Sequence, residues 1–405
     1  MIVQKFLEWS RTASAANRAD GVSALARAYL YTAFAPEEKA AAETALTMQL
    51  DDPPPLVRRA LAESFASASE APRHIVLALA SDQSDIATLV LARSPLLGDG
   101  DLIDCAAIGD AFAQAAIALR SRLSAGVASA LAEVGAREAL ISLVVNHGAE
   151  LTERAMRRIV QRYGDDGEIR EALLSRPHLP ASLRSELVLA TSRALSAFVT
   201  GRDWLSPERA ERVMREAREK AQVIIATSAE EEGEAPFARY LRQSGQLTAG
   251  LVLRALLSGN TSLFEGALCE LSGLPMLRVA GLARDWRGAG FAALYARAGL
   301  SATLLPAFRA ALGAMQELGA AQDAGASARL SRKMIERVLT SCARIKGGEL
   351  DKVMALLRRF ESEAAREDAR EHLRVRPLPV LRIEPRMPLL QVDFVALEAE
   401  LAIAA

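Results

Sequence analysis

The sequence predicts an all-α chain, an α-solenoid of stacked helical hairpins followed by a second helical domain. Three observations carry that expectation. Alanine and leucine dominate an apolar content of 51% while aromatics make up 5%, and Ala and Leu lose little side-chain freedom in a helix. Apolar residues recur at helical spacing and seldom alternate as they would in a half-buried strand. A unit of 28 to 30 residues repeats along the first third of the chain, and repetition on that scale marks stacked helical units that cannot bury their apolar faces alone.

The repeat is read from three aspartates. Asp82 stands 30 residues after Asp52, and Asp110 stands 28 after Asp82. Each precedes a leucine by nine positions (Leu61, Leu91 and Leu119), so these leucines are expected at equivalent buried positions of successive helices. A looser copy begins at Asn146 and runs through Leu151, Ala155 and Ile159. Within the first unit, Asp52 is expected to cap the following helix, with Pro55 in its first turn. Leu56, Ala60, Leu61, Ala62 and Phe65 then form its apolar stripe, and His74–Ala80 supplies the antiparallel partner helix.

These residues resemble HEAT repeats, whose second helix often opens with an Asp and a Val-Arg pair, here Asp52 and Val57-Arg58. Residues 20–190 as a whole are similar to a HEAT-like bacterial family known only as a domain of unknown function. The segments that carry this likeness are Ala92-Arg93-Ser94-Pro95-Leu96-Leu97, Ala118-Leu119-Arg120 and Ser175-Arg176-Pro177-His178-Leu179-Pro180. The resemblance implies a solenoid and brings no established activity. The chain departs from the repeat pattern in its degenerate fourth unit and in the prolines at 53–55.

The expected organisation is a repeat solenoid over 1–195, a connecting helix and acidic linker over 196–235, a C-terminal helical domain over 236–375, and a Pro-rich tail with a short amphipathic end over 376–405. Ser206-Pro207-Glu208 is a helix start with cap, first-turn proline and first-turn acid. That helix is expected to run to Ala226, ahead of the acidic Glu230–Glu234. Further turns are read at Ser258-Gly259-Asn260, Gly273-Leu274-Pro275 and Arg287–Gly290, a small-residue loop at Gln322–Ala328, and a helix break at Gly347-Gly348.

The chemistry-bearing residues favour no enzyme class. Cys105, Cys269 and Cys342 lie far apart without metal spacing and read as small buried hydrophobes. Of the four histidines, His74, His147 and His178 have no metal-spaced partner; His178 sits in a proline-flanked turn, and His372, conceivable as a phospho-acceptor, reads as a solvated side chain. Gly288-Ala289-Gly290 lacks the lysine and preceding strand of a phosphate loop. Asp165, Asp166 and Glu168 are expected to cap a helix. No catalytic residue, cofactor site or metal site is assigned.

Arginines remain. Arg154, Arg157, Arg158 and Arg162 share one side of a helix by their spacing, while Arg209, Arg212, Arg215 and Arg218 are interleaved with acids. We take Arg58, Arg59, Arg154, Arg157, Arg158 and Arg162 as candidate partner-binding residues, because the arginine fork suits carboxylates. A net charge of −1 argues against nucleic acid, though backbone-contacting DNA binding stands as the alternative, and an enzyme of unidentified class on the same scaffold as a third. The expected function is a non-catalytic protein-interaction scaffold or regulatory adaptor with a protein partner. The chain is expected to have no membrane span or signal peptide, to be cytoplasmic, and to be open to homo-oligomerisation.

Overall fold

A computed structural model of the chain describes residues 2–231, 237–318, 331–343 and 350–375. These contain 22 α-helices and two short 3-10 turns, with no strand and a single isolated bridge between Leu123 and Ala149. No helix among them is long and apolar enough to cross a membrane. Helix caps fall where short polar residues stand: Ser14, Asp110, Ser124, Thr152, Asp166 and Asn260 each accept a backbone N–H of the following first turn. Gly273 closes its helix in the left-handed region, φ 71°, where a Cβ would be strained.

Contacts divide the chain into two compact units, 1–256 with 260–300, and 257–259 with 301–405. The first unit begins α1 (Ile2–Ser10), α2 (Ala15–Tyr31), α3 (Pro36–Met48), α4 (Pro55–Phe65), α5 (Arg73–Ala80), α6 (Ser84–Arg93) and α7 (Asp99–Ile108). It continues through α8 (Ala111–Ala118), α9 (Ala125–Val134), α10 (Arg137–Val145), α11 (Glu153–Tyr163) and α12 (Gly167–Leu174). The helices pack in an every-second pattern. One row joins α2, α4, α6, α8, α10 and α12 in succession, and the other joins α7, α9, α11 and α13 (Ala181–Gly201). One continuous core runs between them, from Val22 through Phe65, Leu91, Ile117, Leu131 and Ile159 to Leu187.

Two much longer helices follow, α13 and α14 (Pro207–Glu231), packed against each other. Ser206 lies at the start of α14 as expected, its hydroxyl accepting from Arg209 N, but the helix runs past Ala226 to Glu231. The first unit ends with α15 (Phe237–Gln243), α16 (Ala249–Leu257), α17 (Thr261–Ser272), α18 (Met276–Arg284) and α19 (Ala289–Arg297). A second core cluster joins Val223, Ile225 and Ala226 to Phe237, Leu241, Leu251 and Leu263. In the second unit α20 (Leu305–Leu318) packs on α21 (Arg332–Ala343), and α21 on α22 (Leu350–Val375). Residues 232–236, the 322–328 loop, Gly347-Gly348, the 376–405 tail and the side chain of His372 lie outside the described residues.

The repeat register needs two corrections. Leu61 and Leu91 are fully buried, but Leu119 is 65% exposed. The cause is the helix start, which moves one residue closer to the aspartate with each unit: Pro55 after Asp52, Ser84 after Asp82, Ala111 after Asp110. Counting from the helix start, Leu61, Val90 and Ile117 are equivalent and all are fully buried, which leaves Leu119 one residue beyond the end of α8. Asp52 does not cap α4, whose N-cap is Pro54 with no side-chain bond; only Asp110 of the three caps its helix. The stripe of α4 likewise rotates, with Val57 buried and Leu56 exposed.

Candidate interaction surface

The even-numbered row is stitched at both ends by polar side chains that reach one helix along it. At the N-terminal ends, Arg18 of α2 grips Asp52 before α4 with two bonds of 2.7 and 2.9 Å. Arg58 of α4 grips Asp82 before α6 at 2.7 and 3.2 Å. Ser84 of α6 donates to Asp110 at the start of α8. Gln114 of α8 accepts from Ala136 N ahead of α10 at 2.8 Å, and Arg137 of α10 binds Asp166, the N-cap of α12, at 2.7 Å. Asp166 is held below the usual carboxylate range chiefly by Arg137, and Asp110 by the Ser84 hydroxyl and then the Ala113 N–H.

At the C-terminal ends the bonds run backwards to carbonyls. Arg120 donates to Leu91 O and Ser94 O, both 2.7 Å. Asn146 donates to Ala118 O and Arg120 O, also 2.7 Å. Arg176 donates to Val144 O, Asn146 O and Ala149 O at 2.7, 3.0 and 3.2 Å. Leu91 O, Ala118 O and Val144 O lie in last turns, whose carbonyls a helix leaves without an internal partner, and the other acceptors follow in the turns just beyond. A cation near them also meets the negative end of the helix dipole. Burial lowers the Arg120 and Arg176 guanidinium pKa values. Because N-terminal ends meet N-terminal ends and C-terminal ends meet C-terminal ends, the helices of this row run in the same direction.

This network accounts for most of the candidate arginines. Arg58 is a staple, also donating to Asp52 O at 2.6 Å. Arg162 clamps Ala132 O and Gly135 O at the end of α9 at 2.8 and 2.9 Å. Arg157 reaches forward from α11 to Glu186 of α13 at 3.4 Å and to Glu153 at 2.6 Å, and Arg158 reaches back to Glu133 of α9 at 2.7 Å. Arg59 is exposed and pairs along its own helix with Glu63 at 3.0 Å. Arg154 is exposed and forms no ion pair among the described residues. The residues that sequence reasoning passed over are Arg18, Arg120, Arg137, Asn146 and Arg176. Arg120 and Arg176 lie inside the segments that carried the family likeness, each just after a helix end, and that position was the available signal.

On the same row, α10 and α12 leave a cleft of about 350 Å³ lined by Ile141, Val144, Val145, His147, Glu168, Glu171, Ala172, Ser175 and Arg176. Its bed is apolar. The acid Glu171 on its rim is exposed and forms no ion pair among the described residues. Beside it the C-terminal ends of three successive helices present exposed apolar side chains: Leu119 after α8, Val145 on α10 (58% exposed) and Leu174 on α12 (52%).

The remaining chemistry-bearing groups are tied into packing. His74 of α5 lies 2.9 Å from the Thr47 hydroxyl and 3.7 Å from Glu43, both on α3. His178 is exposed with φ 56°. Cys342 is buried and Cys105 and Cys269 are half-buried, and burial pushes all three thiols up. Burial also raises Glu219 of α14, whose carboxylate accepts from the Thr248 hydroxyl at 2.6 Å. Asp166 caps α12 through Glu168 N and Ile169 N, as the sequence predicts, whereas the turn read at Arg287–Gly290 ends at Gly288, because α19 starts at Ala289 and takes in Gly290. No group of three or more His, Cys, Asp or Glu side chains among the described residues could hold a metal ion.

The chain belongs to a family described as uncharacterised proteins conserved in bacteria (DUF2336), whose profile matches residues 86–346. The match opens at α6 and continues well past residue 190, so the family's conserved span takes in α13 to α19 as well as the later repeats. Comparison with the curated proteins and with the solved structures found no match.

Proposed function

We propose that this member of an uncharacterised bacterial family is a non-catalytic protein-interaction scaffold, built on a HEAT-like solenoid whose second helices, α4 to α12, line the partner-binding face. The every-second packing of helices and the same-direction row support the solenoid reading, since each helical pair then touches only its neighbours. The observation that carries the functional reading is the apolar edge Leu119, Val145 and Leu174 beside the α10–α12 cleft. Side chains of this kind left in solvent near the C-terminal ends of neighbouring helices of one row are expected where a partner covers them. The partner presents apolar anchors to the cleft and a basic group to Glu171. Of the candidate arginines, Arg59 and Arg154 have the freedom to take part. Arg58 and Arg162 serve the stacking itself, and this engagement also speaks against a phosphate-contacting role.

Capture from native-cell extract with tagged full-length chain tests this. Val145→Glu together with Leu174→Glu is expected to abolish recovery of the specific partner while the melting temperature stays near wild type, because both side chains are already exposed. Arg154→Glu with Arg158→Glu is expected to weaken recovery less, and Arg158 should cost some stability through its bond to Glu133. Undiminished recovery by the Val145/Leu174 variant would overturn the assignment of the surface.

A further inference from the structure

The α13–α14 hairpin is the place where unit 1 leaves apolar surface on long helices. The half of each helix near the connection is exposed along most of its length, from Thr191 to Gly201 on α13 and from Pro207 to Ala217 on α14. Leu195 and Phe198 stand one turn apart on α13, and Val213 and Ile224 stand three turns apart on α14; all four are more than two-fifths exposed. At the tip Phe198 meets Trp204 edge-on, ring centroids 5.7 Å apart, with Trp204 64% exposed. Arg202 lies over both rings, 4.6 and 5.6 Å from their centroids. The connection is held in one shape: Asp203 adopts φ 56°, and Trp204 N donates to Val199 O at 3.1 Å. The apolar tip is therefore pre-ordered.

We infer that this hairpin pairs with the same hairpin of a second copy of the chain, four helices forming a bundle through Leu195, Phe198, Trp204 and Val213. Two antiparallel helices with outward apolar residues at helical spacing are half of a four-helix bundle, and a two-fold interface brings the same patch against itself. The charges around the patch choose a protein copy over a lipid surface. Between Thr191 and Ala217 the five cations Arg193, Arg202, Arg209, Arg212 and Arg215 are interleaved with Asp203, Glu208, Glu211 and Glu216. Such an interleaved, nearly neutral strip complements its own two-fold image, whereas binding to anionic lipid calls for a clear basic excess. The surface is separate from the α10–α12 cleft, so this inference stands or falls apart from the scaffold reading.

The test is sedimentation equilibrium of the full chain over a range of concentrations. Wild type is expected to be a dimer with a concentration-dependent monomer fraction. Phe198→Glu with Val213→Glu is expected to weaken dimerisation by at least about tenfold, with the helical circular dichroism signal unchanged because both residues are exposed in the single chain. A cysteine-free chain with Gly201→Cys supplies a second reading that leaves the four named side chains in place, a Cβ there meeting nothing within 4 Å: mild oxidation should cross-link two copies through the hairpin tip. A monomeric wild type, or a dimer that survives both glutamates and gives no cross-link, overturns the inference. So does Trp204-dependent cosedimentation of a monomeric wild type with phosphatidylserine vesicles.

Discussion

The even-numbered row and the α13–α14 hairpin solve the same problem in opposite ways. Helices α4 to α12 have 8 to 11 residues, too short to be stable alone in water. They are held by a core shared with neighbours and by the polar bonds at both ends. The hairpin helices have 21 and 25 residues, and their distal halves rely on each other and on their own length. Short stapled helices fix the spacing of a surface; in the long pair Gln222 donates to Ser185 at 2.9 Å in the proximal part, and the distal halves carry exposed apolar side chains. The family match takes in the row from α6 onward together with the hairpin.

The strongest blow to the row should come from its core. Leu91→Ala, at a fully buried position, is expected to cost about 2–5 kcal/mol, read as a shift in the denaturant midpoint. Leu119→Ala serves as its control: the same substitution one unit on should change stability by less than about 0.5 kcal/mol. Equal losses at the two sites would restore the constant nine-residue register.

Removing a carbonyl clamp should come next. Arg176→Met keeps much of the aliphatic packing but leaves Val144 O without its side-chain donor, while Asn146 O and Ala149 O keep their backbone donors, at a cost of about 1–3 kcal/mol. A matching substitution on the hairpin, Arg212→Met, is expected to leave stability nearly unchanged. If the two behave alike, the staples do not distinguish the regions.

Acidification should separate the regions by sign. Asp110 and Asp166 are depressed in the folded chain, so their contribution is complete above the unfolded carboxylate value of about 4 and is lost as pH falls below it. Glu219, under the proximal part of the hairpin, is raised by burial, so its ionisation opposes folding at neutral pH and the penalty disappears on acidification. Asp166→Asn should destabilise at neutral pH and Glu219→Gln should stabilise, and both differences should shrink towards pH 3. Urea midpoints across that range check the two signs.

Helix positions were largely legible in the sequence because periodicity and caps are local. Ser206-Pro207-Glu208 and the Asp166 cap are found as expected. What escaped depends on residues far away in the chain. Nothing near Asp52 says that it binds Arg18, 34 positions earlier, in preference to capping the helix beside it. The arginines of α11 share a face by spacing, yet α11 packs against both α9 and α13, so Arg158 turns to one and Arg157 to the other. Leu119 failed because the interval from the aspartate was constant while the helix start was not. The apolar edge was hidden for the same reason, since whether Val145 and Leu174 face core or solvent depends on where their helices start and end.

The backward reach of Arg120, Asn146 and Arg176 bears on how the chain is made. On the ribosome the N-terminal segments emerge first, so the last turn of α6 is complete only when residue 120 has appeared, that of α8 when residue 146 has, and that of α10 when residue 176 has. Each of these helices is therefore closed one rung behind the growing end, and the newest helix of the row is the open one. A translational pause just before residue 176 would hold α10 with Val144 O still lacking its side-chain donor.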